Sequence, residues 1–140
     1  MNTPKLFEWL CKLSITLTNI DEYLRGILRQ VLDSYKILTE LNDSHDDLNT
    51  IKKELSKIRG LLQVMHTKLG EKKYQSDHLV TVYKLSTYYI DTYDFTREID
   101  VLSQVYYKDS SRLKNLRLLI ISSLNDKKLI EKFQTILAKL

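Results

Sequence analysis

The sequence predicts an all-α fold, and three observations predict it. Apolar side chains recur at alternating steps of three and four residues along much of the chain, the spacing that lines one face of a helix. Gly occurs three times and Pro once, which starves the tight turns that β-hairpins need. Apolar residues make up 43% and charged residues 29% of the 140 positions, a balance that suits a folded chain rather than a disordered one. A chain of this length makes a single helical domain, 1–140, with one core.

The first helix is expected over 4–41. Leu6, Leu10, Leu13, Leu17, Ile20, Leu24, Ile27, Val31, Ser34, Leu38 and Leu41 form a heptad line in which only Ser34 is polar. Thr3 suits the cap and Pro4 the first helical position, where no hydrogen bond is lost. Asn42 suits the stop. Trp9, Leu28, Tyr35 and Ile37 widen the apolar stripe beyond a two-stranded seam, as in a bundle.

A second helix is expected over 45–69, with Ser44 as cap and Leu48, Ile51, Leu55, Ile58, Leu62, Met65 and Leu69 as its apolar line. Lys68 followed by Gly70 reads as its C-terminal signature. The third segment, 76–107, carries Leu79, Val82, Ser86, Tyr89 and Tyr93, then Ile99, Leu102 and Tyr106. It reads as one helix or two, with a kink or break near Thr92–Thr96, because Thr87–Thr96 is rich in residues of high strand propensity. A fourth helix, 111–124, starts at a Ser110 cap and bears Leu113, Leu116, Leu119 and Ile120; Asn125-Asp126 marks a break. The last, 127–139, bears Leu129, Phe133 and Ile136, with Leu140 after it. The first two segments should form a long antiparallel hairpin with coiled-coil-like heptads within a four-helix-type bundle.

Net charge is +4 and uneven: residues 74–107 carry −3 and hold seven of the nine Tyr, while residues 108–140 carry +5. Two surface sets follow. Tyr83, Tyr88, Tyr89, Tyr93, Tyr106 and Tyr107 are too widely spread for one core, and exposed Tyr favours interfaces. Arg112, Lys114, Arg117, Lys127 and Lys128 form a candidate patch for an anionic partner.

Catalytic chemistry finds little footing. His45, His66 and His78 are scattered, with no ligand-like spacing to another His, Cys or carboxylate, so no metal or cofactor is expected. Cys11 sits among apolar neighbours without a nearby His, an environment that keeps a thiol inert. Glu8 and Lys12 interrupt the N-terminal apolar residues, and the longest apolar run, Leu118–Ile121, is far short of a membrane span. With a single Cys, these point to a reducing, cytoplasmic or nuclear setting.

Arg59, six residues, then His66 resembles the R-x4–6-H signature of the HEPN ribonucleases, which are small all-helical bundles. The resemblance implies that Arg59 and His66 would act on an RNA phosphate and 2′-hydroxyl across a dimer interface. Gly60 follows Arg59 where that family carries a polar residue, and nothing else in the chain matches. Both residues also follow a heptad position, where long polar side chains flank a helical seam.

The reading favoured is a non-enzymatic helical interaction subunit. Its partners would be other protein subunits, in homo- or hetero-oligomers joined through helices. Small subunits of cytoskeletal, kinetochore or tethering assemblies have this character at the level of fold type. A helical ribonuclease or nucleic-acid-binding protein using Arg59, His66 and the basic C-terminal quarter is the alternative.

Overall fold

The computed structural model describes the backbone of residues 3–44, 46–72 and 76–140, and side chains over 20–44, 46–70 and 76–140. The described chain is all-helical: α1 (Thr3–Thr39), α2 (Asp47–Lys72), α3 (Asp77–Thr92), α4 (Thr96–Gln104), α5 (Ser110–Asn125) and α6 (Leu129–Lys139), with a 3-10 turn at Asp126–Lys128 before α6. The expected side-chain roles of Thr3, Pro4, Leu6, Trp9, Leu10, Cys11, Leu13, Leu17 and His45 lie outside the described residues.

Each helix end has a local cause. Thr39 Oγ1 donates back to the Lys36 carbonyl at 2.7 Å, and Asp43 then takes a left-handed φ of 62°. The Asp47 carboxylate accepts from the backbone N–H groups of Asn42 and Ser44, both at 3.1 Å. Asp47, and not Ser44, therefore organises the start of α2, and a carboxylate there suits the positive end of the helix dipole. Gly70 is not a cap either. It lies inside α2, and a Cβ there would come within 3.2 Å of the Tyr83 ring, so its bare backbone lets α3 approach.

Between α3 and α4, Tyr93 is extended (φ −120°, ψ 132°). The Asp94 carboxylate accepts from Thr96 N–H at 3.0 Å and Thr96 Oγ1 at 2.7 Å, which launches α4 and holds the Asp94 carboxyl below its usual range. At α5 the cap is Asp109, not Ser110: its side chain accepts from the Arg112 backbone N–H at 3.1 Å. After α5, Lys127 and Lys128 both take left-handed φ values, 56° and 57°, a conformation costing an L-residue roughly 1–2 kcal/mol. The four-helix-type outline is thus cut finer, because the third segment breaks at Tyr93–Phe95 and the fourth and last are separated by this left-handed pair.

One core unites the helices. All seven apolar-line positions of α2 are buried, as are Leu24, Ile27, Val31 and Ser34 of α1. Leu79, Val82, Ser86 and Tyr89 of α3, Ile99 and Leu102 of α4, and Leu129, Phe133 and Ile136 of α6 join them. α2 packs on α1 and α3, and α1 also packs on α5 and α6. α4 packs on both α5 and α2. Two polar links fasten distant segments. Arg117 of α5, 8% exposed, forks onto Asp43 through Nε at 2.6 Å and Nη2 at 3.0 Å, and its Nη1 donates to the Leu38 carbonyl at 3.2 Å. His78 Nε2 meets Asp21 Oδ1 at 3.2 Å, tying α3 to α1.

Candidate functional site: an apolar groove between α4 and α5

α5 buries one face and exposes another. Leu113, Leu116, Ile120 and Leu124 point inward. Leu119, expected in the core from its spacing, is 57% exposed. Beside it on α4 and the loop after it, Val101 is 43% and Val105 64% exposed, and Tyr107 is 54% exposed. Five of the eight exposed large apolar side chains among the described residues fall between Val101 and Leu119. The other three, Tyr23, Ile37 and Val64, are scattered singly, which is ordinary for a protein surface.

Of the five, Val101 and Leu119 line a concavity of about 380 Å³ between α4 and α5. Its floor is Leu102, Leu116 and Tyr106, and its walls are Val101 and Leu119. Arg97 and Glu98 stand at one end, in the first turn of α4, and Arg112 stands at the other. The Arg112 guanidinium lies 3.7 Å above the Tyr106 ring, and its Nε is 3.3 Å from Asp109 Oδ2. Stacking on one side and an acid on the other pre-set the guanidinium's orientation. Neither Arg97 nor Glu98 has an ion-pair or hydrogen-bond partner among the described residues. The floor is largely apolar and the ends are charged, with Arg112 the one charge whose orientation its neighbours fix.

The tyrosine set divides. Tyr89 is 1% exposed, with its hydroxyl 3.0 Å from Ser123 Oγ, and burial pushes its pKa up. It belongs to the core and presents nothing to a partner. Tyr83 stacks on His66 at 5.3 Å between ring centres. Tyr88 and Tyr93 both donate to Asp126 Oδ2, at 2.7 and 2.5 Å. Those bonds hold the Asp126 carboxyl below its usual range, and the carboxylate raises both phenols, Tyr93 to about 12. These four serve the interior seams around α3. Tyr106 and Tyr107 are at or beside the groove.

The basic set is likewise not one patch. Arg117 is buried against Asp43, and Lys114 is exposed on α5 outside the groove lining. Lys127 and Lys128 lie past the other end of α5, roughly 20 Å from Arg112 along a helix rising 1.5 Å per residue. Lys127 Nζ sits 5.5 Å from the Tyr88 ring centre. Lys128 borders a second, polar concavity shared with Asp77 and Glu131. The reason is helical geometry: residues adjacent in a basic stretch leave the helix in different directions.

Arg59 and His66 are both engaged between α2 and α3. Arg59 Nη1 donates to the Tyr93 carbonyl, which the break after α3 has freed. His66 Nδ1 shares a 2.7 Å hydrogen bond with Thr87 Oγ1 while its ring stacks on Tyr83. Three buried polar groups, Ser34, Glu54 and Ser86, leave an oxygen without a hydrogen bond among the described residues, each on a helix face lined by core residues. Among the described residues no group of three or more His, Cys, Asp or Glu could hold a metal ion, and no helix is long and apolar enough to cross a membrane.

Sequence reasoning missed the groove because Leu119 obeys the same three-and-four spacing as its buried neighbours. The available signal was the pair Leu118-Leu119 beside Ile120-Ile121: four consecutive apolar residues on a helix point all round it, so some must face outward. No protein-family model, curated protein or solved structure matches this chain.

Proposed function

We propose that this chain is a non-enzymatic helical interaction subunit whose docking surface is the groove between α4 and α5. The observation that carries the reading is the exposed apolar pair Val101 and Leu119 lining one concavity with charges at its ends, with exposed Val105 and Tyr107 following α4 outside its lining. Leaving these groups in water forgoes about 25 cal/mol per Å² of apolar surface, which a docked partner recovers. α1 and α2 act as a long antiparallel, coiled-coil-like hairpin that supports the remaining helices. Tyr106 and Tyr107 are the tyrosines of the interface, and Arg112 is its basic member. The subunit's place is in a multi-protein assembly of the cytoskeletal, kinetochore or tethering type.

The nuclease alternative draws no support from the surroundings of Arg59 and His66, since both side chains are occupied in α2–α3 contacts. A photo-crosslinking residue placed at Val101 or Leu119, with Val64 on α2 as an equally exposed control, tests the docking surface in the native cell. Discrete adducts from the two groove positions and none from Val64 are the expected result. Adducts from neither groove position would refute it.

A further inference from the structure

Resting on the docking reading above, we propose that the occupant of the groove is a second copy of this chain, related by a twofold axis, with Glu98 of each copy paired to Arg112 of the other.

The charges at the groove favour this occupant. Glu98 lies in the first turn of α4. Arg112 is stacked over Tyr106, beyond the last residue of α4, Gln104. The two therefore mark opposite ends of the groove, on the order of 10 Å apart at 1.5 Å per helical residue. Each end also carries its opposite sign, Arg97 beside Glu98 and Asp109 beside Arg112. The groove as a whole is balanced. A nucleic acid or strongly acidic helix would meet Glu98 and Asp109, and a strongly basic one would meet Arg97 and Arg112. Like-charge contact of that kind disfavours both classes of partner.

A groove whose two ends each carry one charge of either sign complements itself when its direction is reversed. A twofold axis reverses its direction, so each Glu98 meets an Arg112 and the contact is made twice. The same operation sets Val101 and Leu119 against the equivalent apolar residues of the other copy. Both charged groups are available for it. Glu98 has no partner among the described residues, and the Arg112 side chain is 54% exposed with its orientation already fixed by Tyr106.

Sedimentation velocity of the purified full chain across a concentration series, with circular dichroism melts of every variant, tests this. The wild type should show a monomer–dimer equilibrium. Val101→Asp should shift it to monomer with helicity unchanged. Glu98→Arg and Arg112→Glu should each weaken association by on the order of tenfold or more, and combining them should recover most of the loss. If Arg112→Glu does not fold because Tyr106 loses its cover, Glu98→Gln against Leu118→Ser decides: the first must weaken the dimer, and the second, outside the groove lining, must not. A wild type that stays monomeric at every concentration overturns the proposal. So does a dimer indifferent to Val101→Asp, or a double charge reversal no better than the single ones. Crosslinks from the groove to a different protein, with the purified chain monomeric, overturn the second-copy occupant and leave the docking reading intact; a groove that crosslinks to nothing overturns both.

Discussion

The two faces of α5 use the same kinds of residue to opposite ends. On the inner face a charged side chain, Arg117, is buried, and every donor the structure shows on it is matched by Asp43 or the Leu38 carbonyl. On the outer face a leucine, Leu119, stands 57% exposed beside Val101. Arginine inside and leucine outside invert the simple rule, and the inversion is informative. A buried charge survives only where its partners are supplied. A cluster of large apolar groups left in water is what the proposed docking surface rests on. The inner face closes the molecule, and the outer face is where it remains open.

The sharpest way to break the inner face is Arg117→Ala. It strands the Asp43 carboxylate, whose side chain is only 16% exposed, and frees the Leu38 carbonyl. The expected loss is about 3–5 kcal/mol, read by urea denaturation, and it should loosen the α1–α2 turn while leaving the groove's side chains as they are.

Next in size is the Asp126 cluster where the end of α5 meets α3. Its hydrogen bonds from Tyr93 and Tyr88 depress the Asp126 carboxyl below 3.8. The stabilisation is therefore present above that pH and is lost as pH falls through the lowered value. The same bonds raise the Tyr93 phenol from 10.0 to about 12, so its share is complete below pH 10 and is lost as pH rises through about 12. Melting temperatures of the wild type should fall along both limbs. Asp126→Asn, which lacks the titrating carboxylate, should show a shallower acid limb and a lower plateau at neutral pH.

Lys128→Gly has a smaller effect of opposite sign. Glycine occupies the left-handed region without the Cβ penalty, so stability should rise by up to about 1 kcal/mol. The outer face should respond least of all. Leu119→Asn is expected to change stability by no more than about 0.5 kcal/mol, as for other surface positions, while removing whatever binds the groove. A large loss of stability from Leu119→Asn would return that residue to the core and erase the contrast between the two faces.

What the sequence disclosed follows from locality. The a/d line of α2 is buried as its spacing demands, because a helix face is written in residues three and four apart. The break at Tyr93–Phe95 falls within the Thr92–Thr96 stretch, where high strand propensity weakens the helix. The fate of Arg117 was hidden, since its partner Asp43 lies 74 residues away in a turn whose left-handed conformation no local pattern announced. Leu119 was misplaced for a related reason: periodicity says which residues share a face, not which face has a neighbour to lie against. The tyrosines show both effects. Tyr88 and Tyr93 are drawn inward by Asp126, 38 and 33 residues along the chain, whereas Tyr107 has no such acid to bind.

Methyl NMR of the full chain over a dilution series puts the pairing of two copies through the groove to its most direct trial. Signals from Val101 and Leu119 should shift together with concentration, while those of Leu118 and Val64, exposed but outside the groove lining, stay fixed. Groove methyls that never move, or that move no more than those two references, would contradict it.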